Sequence, residues 1–593
     1  MTLRPRPIRL ASALLLLAGV TLAFAAQKPA APASPEPRLA VVIAIDGLSM
    51  PRLLAYRPWY VAGLKRLLDE GHVETNANFR HINTETGPGH ASLGTGSPPR
   101  VHGIVTNSWY EERPGRGPTA VYCTDQPGPS PSGTIAGPQN LRVPTLGDRL
   151  VEARKGSRVV SVSGKDRSAI FLAGKNPAHA VYWYDKATGG FTTSAAYDAP
   201  RGPAAAGAAV VSRFNVQKAG GMLPARLGLF WKKWGAPPPP SDKPLPTPVP
   251  PSIIQRFQVP ANGLGWDKDV SKYVSWSRYD PSGYFAGIYR SPLLDELTAD
   301  LALDLLADDK LELGRRSTRD LLAIGFSGHD PVSHDYGNES DEELDALRRL
   351  DVQIGRVLQA LDREFPKGTV LVALSADHGF TAIPEVARIL DRNAATGRVV
   401  GSRTYTDNVG DRLNRMLDDE LCLDRTARPI LDIEGWNLFY RHAAFPLTSV
   451  AGACGPAGRL VTAADIDRVL PKVVALGYDA EVKDVLLVSR KDSWPKDDPM
   501  LEFVLNDFDA KRSGDAFLIP RPGVIQYADP GRGAMHGSPY EPDTHVPLIF
   551  LGGPATAGTS TAPATPYDLA PTVGAWLGVP LPDATGRVIP LGR

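Results

Sequence analysis

The residues of this 593-residue chain best suited to chemistry fall in a few short stretches. Asp46 follows an apolar run; Asp330 and His334 lie in HDPVSHDYG; Asp377 and His378 are adjacent in SADHGF; and His536 opens HGSPYEPDTHVP. Imidazole with carboxylate is the ligand set expected of catalytic zinc, with a position left open for water or substrate. Asp330 and His334 are four apart, so one helical turn or a compact loop aims both at one ion. Singly, each residue has an ordinary reading: an Asp at a strand end caps a helix, and a lone His is structural or exposed. Their order and placement carry the metal reading. A further stretch, HINTETGPGHASLGTG at 81–96, crowds three threonines, two histidines and four glycines around one proline and offers almost nothing to bury. A solvated loop needs only its turn formers. A nucleophile held above a sheet edge needs this mixture. In SGKDRSAI, Lys165 and Arg167 are two apart, so an extended segment points both the same way; a solvated Lys-x-Arg pair is the bland alternative.

The elements that must position these groups are apolar runs. RLAVVIAIDG ends at Asp46, SRVVSVSGKDR at Lys165 and Arg167, RDLLAIGFSGHD at Asp330, and GTVLVALSADHG at Asp377 and His378; THVPLIFLGG is a fifth. Each reads as a strand buried on both faces of a parallel sheet. Between the third and fourth lies SDEELDALRRLDVQIGRVLQALDREFP. It opens with a capping box from Ser340 to Glu343 and keeps Leu344, Leu347, Leu350, Ile354, Val357, Leu358 and Leu361 on one face. Strand, helix, strand is a crossover unit, so the fold class is α/β: an open sheet covered by helices. Ligands bind such sheets beyond the carboxyl ends of the strands, where the polar groups cluster. Residues from about 178 to 295, with the polyproline-like WGAPPPPSDKPLPTPVPPS, and from about 391 to 525, mixed and without clear period, read as insertions.

Composition narrows the partners. The chain is 42% hydrophobic and 22% charged, with a formal net charge of +1. No basic field points to nucleic acid or anionic lipid. MTLRPRPIRL is a basic n-region, ASALLLLAGVTLAFA an apolar h-region, and AFAA before Gln27 suits cleavage. The apolar run is shorter than the ~20 residues of a spanning helix, and no cysteine follows it for a lipid anchor. Residues 1–26 are therefore read as a cleaved signal peptide and 27–38 as a Pro/Ala-rich leader, with one catalytic domain over 39–593. No later stretch is apolar enough to span a membrane, and the mature chain is expected to be periplasmic or secreted. Cys123, Cys422 and Cys454 show no metal-ligand spacing. Either Cys422 pairs with Cys454 and Cys123 stays free, or all three are thiols.

In this order the motifs resemble the alkaline phosphatase superfamily over nearly all of the mature chain, the insertions matching least. The resemblance implies an alkaline-phosphatase-like, mostly parallel central sheet with helices on both faces and inserted subdomains over the active-site edge. It implies two zinc ions, one held by Asp330, His334 and His536, the other by Asp46, Asp377 and His378 with the nucleophile as a further ligand. The Asp-x-x-Gly-His motif of the superfamily reads DPVSH here, with Ser333 in place of glycine, a departure that bears on local backbone geometry. TGPGH matches the Thr-x-Pro-x-His motif of the nucleotide pyrophosphatase and phosphate-irrepressible branches, which makes Thr86, not Thr84, the nucleophile and leaves His90 to hold the loop. TNSWY matches the place of an asparagine, here Asn107, that donates to a phosphoryl oxygen in both branches. The Cys/Ser-x-Pro-x-Arg motif of sulfatases and the serine of the mutases are absent.

Together TGPGH, TNSWY, SGKDRSAI and HGSPYEPDTHVP look similar to the phosphate-irrepressible (PafA-type) alkaline phosphatases of bacteria. That family implies a monomeric, exported, broad-specificity phosphomonoesterase that uses two zinc ions, no third magnesium site, and a phosphothreonine intermediate. A monoester dianion has three non-bridging oxygens to match and a diester two, so Lys165 and Arg167 suit small-molecule phosphate monoesters. His545, in DTHVP, is expected to orient a ligand from behind. Two other readings remain. A nucleotide pyrophosphatase or phosphodiesterase would use the same metals and nucleophile, an apolar or aromatic nucleotide pocket, and neither cation. An inactive exported binding protein would keep the fold without turnover.

Overall fold

Apolar runs that end in charged residues assemble into one nine-stranded sheet in the computed structural model, which describes residues 35–592 except 114–116, 131–132, 220–280, 385–386, 388–402, 405, 453–455 and 527–533. The signal peptide, most of the leader, the polyproline-like segment and Cys454 lie outside the described residues. In chain order the strands are β1 Leu39–Ile45, β2 His72–Asn78, β3 Val159–Ser163, β4 Ala180–Tyr184, β5 Phe191–Thr192, β6 Asp320–Phe326, β7 Val370–Ser375, β8 His545–Gly552 and β9 Gly558–Ser560. Their spatial order is β9-β2-β8-β7-β1-β6-β3-β4-β5. Every residue of β1, β3 and β6 is buried, as strands covered on both faces require.

Register turns these strands into a scaffold for the site. β1 pairs in parallel with β6 and β7, and Ala44 faces Ser375, so Asp46 and Asp377 leave the sheet at one level. β3 pairs in parallel with β6, with Ser163 opposite Gly325, and brings Lys165 to the same edge. The fifth expected strand corrects the parallel reading: β8 runs antiparallel to both β7 and β2. Its amino end, not its carboxyl end, therefore meets the strand ends of β1, β6 and β7, and the segment carrying His536 enters the site from there. The sheet also extends into the first expected insertion, because β4 and β5 add to its edge beyond β3.

Helices cover both faces. The long helix Asp341–Glu364 buries all seven predicted apolar positions. Only half of its capping box forms: Ser340 Oγ accepts from the Glu343 N–H at 3.1 Å, while the Glu343 carboxylate turns to His329. From the same helix, Asp351 accepts four backbone N–H groups at Val61, Ala62, Leu64 and Lys65, which caps the helix Gly63–Glu70.

The second expected insertion has its own order. Strands Ile430–Glu434, Asn437–Tyr440, Ala516–Pro520 and Val482–Leu487 form an antiparallel sheet in that sequence, accompanied by helices Thr406–Leu421 and Ala463–Tyr478. Leu413, Leu417, Leu438, Leu470, Val504 and Phe517 belong to a hydrophobic core separate from that of the main sheet. Cys123 is a free, buried thiol and Cys422 is disulfide-bonded, so three free thiols are excluded.

Candidate active site

Thr86 begins a helix, not a loop. Helix α1, Thr86–Thr95, buries all ten of its residues, and Pro88 sits in its first turn, where a missing N–H costs no intrahelical bond. Its glycines permit close approach. A Cβ on Gly89 would lie 2.2 Å from the Asp377 carbonyl oxygen and 2.6 Å from Asp377 Cβ, so α1 rests directly on the end of β7. Asn107 accepts the Gly87 N–H through Oδ1 at 2.8 Å, which satisfies one helix-terminal donor. Thr84 is structural: its hydroxyl donates to the Ser538 carbonyl at 2.8 Å.

Lys165 and Arg167 converge on Thr86 by a route other than the extended segment expected. Lys165 is extended (φ −120°, ψ 142°) and caps helix α2, Asp166–Ala173, while Arg167 already lies in the first helical turn. Lys165 Nζ and Arg167 Nη2 each stand 3.3 Å from Thr86 Oγ1. Tyr122 accepts from Arg167 Nη1 at 2.8 Å and donates to Asp166 at 3.1 Å, which fixes the guanidinium.

Asp330 and His334 lie one turn apart on helix α3, His329–Tyr336, with His334 Nε2 3.2 Å from Asp330 Oδ1. Ser333 sits inside that helix, a conformation that does not call for glycine. Asp46, Asp377 and His378 present ligand atoms within 4.8 Å of one another, and so do Asp330, His378 and His536. The second grouping differs from the expected one, with His378 in the place of His334; His334 lies beside it, against Asp330 and with its ring 5.1 Å from that of His536. The imidazoles share one arrangement. Nδ1 of His334, His378 and His536 donates to the carbonyls of Ala534, Gly379 and Thr84 at 3.1, 2.9 and 2.8 Å. Each ring therefore turns its Nε2 toward the site.

The donor set fits metal. Buried Asp46 Oδ1 and His378 Nε2 have no hydrogen-bond partner although they converge with Asp377, a costly arrangement unless a cation satisfies them. Burial raises the pKa of Asp46 and Asp330, but the Lys165 ammonium, 2.7 and 2.6 Å away, overrides it and holds both well below the carboxylate range. Burial likewise depresses His378, and Asp377 and Asp46 reverse it, pushing the ring up to about 9. Without metal, the charged His378 ring and the Lys165 ammonium offset the three carboxylates, and a divalent cation would take the place of the ring proton.

Around these lie supporting residues, of which the sequence singles out only His90 and His545. His90 Nδ1 lies 3.0 Å from both the Thr86 carbonyl and Asp377 Oδ2, so it ties the helix to a strand-end carboxylate. His329 Nδ1 donates to the Asp46 carbonyl at 2.9 Å, and its Nε2 meets Glu343 at 3.1 Å. His545 does not orient a ligand; it bonds Glu541 and the Thr75 carbonyl. The residue two places earlier does that work. Asp543 accepts from Ser538 N and Thr381 Oγ1, both at 2.8 Å, and its carbonyl accepts from Gly379 N, so it joins the His378 and His536 segments.

Above this floor lies a cavity of about 620 Å³, bounded below by Thr86, Asn107, Arg167, Asp330, His334 and His536 and above by the hairpin at Asp432–Trp436. No helix among the described residues is long and apolar enough to cross a membrane.

Residues 40–539 match the family model for type I phosphodiesterase / nucleotide pyrophosphatase. The chain is 28% identical to alkaline phosphatase PhoK of a Sphingomonas species, over 94% of this chain and 92% of that one. It is also 28% identical to alkaline phosphatase PafA of Elizabethkingia meningoseptica, over 94% of each. The crystal structure of wild-type alkaline phosphatase PafA superimposes with a TM-score of 0.72 at 26% identity, over 94% of this chain and 99% of that one. With the strand-end metal ligands on one sheet edge, the chain belongs to the type I phosphodiesterase / nucleotide pyrophosphatase family of the alkaline phosphatase superfamily, as a hydrolase of the bacterial alkaline phosphatase type.

Proposed function

We propose that this protein is an exported zinc-dependent phosphomonoesterase that acts on small-molecule phosphate monoesters through a phosphothreonine and releases inorganic phosphate. The observation that carries the reading is the pair of cations, Lys165 Nζ and Arg167 Nη2, each 3.3 Å from the Thr86 hydroxyl. A group attacked by Thr86 has its non-bridging oxygens beside them, and three such oxygens belong to a monoester.

Asp46, Asp377 and His378 would hold one zinc ion, with Thr86 beside them, and Asp330, His334 and His536 the other. Bound there, the ions would neutralise charge on attacking and leaving oxygens and lower the pKa of the Thr86 hydroxyl. Thr86 Oγ attacks phosphorus, its proton is released, and the bond to the alcohol oxygen breaks. Water then attacks the phosphothreonine and restores Thr86. Arg167, Lys165 and the Asn107 amide hold the non-bridging oxygens through both steps, where positioning and charge stabilisation carry the rate. His90 and Gly89 keep Thr86 against Asp377. The organisation that goes with this reading is a signal peptide over 1–26, a leader over 27–38 and a monomeric catalytic unit over 39–593 with insertions near 178–295 and 391–525.

The test is a pair of initial rates on the zinc-loaded mature protein with p-nitrophenyl phosphate and bis-p-nitrophenyl phosphate. A large monoester preference that collapses when Lys165 and Arg167 become alanine is the expected result. A diester preference in the wild type, unaltered by those substitutions, assigns the protein to the phosphodiesterases instead.

A further inference from the structure

The cavity over Thr86 is cationic on one side and anionic on the other. Asp432 and Glu434 come from strand Ile430–Glu434 of the inserted subdomain, and Glu85 precedes Thr86; all three line the same cavity as Arg167. Among the described residues none of these carboxylates has a cationic partner within 4.0 Å. Asp432 accepts from the Tyr110 hydroxyl at 2.6 Å, and Glu85 accepts from the Asn107 N–H at 2.7 Å. Burial, with the charges of Glu85 and Asp432, pushes Glu434 up to about 8. The hairpin that carries this roof is fixed to the floor. Trp436 N donates to Asn83 Oδ1 at 2.9 Å, Trp436 Nε1 donates to the Gly537 carbonyl at 2.8 Å, and Gly435 turns between them at φ +56°. A Cβ there would meet Asn83 Oδ1 at 2.5 Å and Glu85 Oε1 at 3.0 Å. The floor of the same cavity is Thr86 with Asn107, Asp330, His334 and His536, so the space under the hairpin opens directly onto the nucleophile.

In-line attack by Thr86 places the leaving group on the side of phosphorus away from the nucleophile, in the space under the roof. We propose that Asp432, Glu434 and Glu85 set the leaving-group preference of this site, favouring phosphate monoesters of cationic or uncharged alcohols and rejecting those whose alcohol carries a second anion. The inference rests on the phosphomonoesterase reading. Repulsion by unpaired carboxylates in a partly enclosed cavity acts on the anionic leaving group, while the Lys165 and Arg167 side treats every phosphoryl group alike.

The experiment compares kcat/KM of zinc-loaded protein for phosphocholine and for phosphoglycolate at alkaline pH, where Glu434 is ionised, at low and at high salt, with p-nitrophenyl phosphate as the reference substrate. Wild type is expected to favour phosphocholine by at least about tenfold, about 1.4 kcal/mol, and the ratio is expected to fall with added salt. Glu434→Gln and Asp432→Asn each lower the ratio, and together they bring it close to unity. A wild type that hydrolyses p-nitrophenyl phosphate yet shows equal kcat/KM for the two test substrates overturns the proposal. So does a ratio that Glu434→Gln and Asp432→Asn leave in place while p-nitrophenyl phosphate turnover shows the variants to be folded. A wild type inactive on p-nitrophenyl phosphate sinks the phosphomonoesterase reading itself.

Discussion

Replacing Lys165 by methionine separates two roles of the same ammonium. Its side chain is 3% exposed and its Nζ lies 2.7 Å from Asp46 and 2.6 Å from Asp330, whose side chains are 0% and 5% exposed. Burial disfavours the charged amine, but Asp330 and Asp46 hold it well above its ordinary range, so it stays charged at alkaline pH. Methionine keeps most of the length and removes the charge, leaving two buried carboxylates uncompensated in metal-free protein. Breaking a buried ion pair costs about 3–5 kcal/mol. Unfolding entropy for a unit on the order of 550 residues is about 1.2 kcal/mol per kelvin, so the melting temperature of chelated protein should fall by roughly 3–4 °C. Zinc takes over the compensation, because the carboxylates that lose the ammonium are proposed metal ligands. The melting difference should therefore shrink as zinc is added, while turnover of monoesters stays low. Scanning calorimetry in chelator, repeated across a zinc titration, reads both effects. Equal melting of wild type and Lys165→Met in chelator, or a gap that zinc leaves unchanged, refutes this account of the carboxylates.

Thr86→Ala should lower turnover by at least about 10³-fold with two zinc ions still bound per chain, as read by metal analysis beside initial rates; activity near wild type moves the nucleophile elsewhere. Gly89→Ala puts a methyl 2.2 Å from the Asp377 carbonyl oxygen, so helix α1 or Asp377 must shift. Zinc affinity should drop by at least about tenfold, and a wild-type zinc titration would mean that this packing does not place the ligand. Asp295, 3% exposed, is pushed up to about 7 by burial, with the Gly328 N–H it accepts acting against that rise. Its folded form holds a proton that its unfolded form has lost, so stability should fall between pH 4 and 7, by at most about 1.4 kcal/mol per pH unit. Asp295→Asn should flatten that slope in denaturant titrations across the window, and an unaltered slope assigns it to other groups.

What could be read from the sequence, and what could not, follows from the kind of signal each element leaves. β1 is apolar throughout, β6 and β7 are apolar but for Asp320 and Ser375, and the three stop at Asp46, near Asp330 and before Asp377, so burial and chemistry are written side by side in the chain. Hydrophobicity carries no direction, however. β8 reads like the other strands and runs against β7, which only its pairing reveals. Helix α1 leaves no helical period because it is buried on every side; its Gly, Pro and His content has the composition of a turn. The inserted sheet is built from strands as short as Asn437–Tyr440, which at four residues, all buried, shows no alternation to recognise. The groups behind the ligands are hidden for a different reason. Asp543 and His329 act on Ser538, Thr381 and the Asp46 carbonyl, contacts created by the antiparallel entry of β8 and by the packing of α3 against β1. First contacts with a metal or a phosphoryl group demand particular side chains and so mark the sequence. The groups that aim them need only a hydrogen-bonding atom in the right place, which the fold supplies.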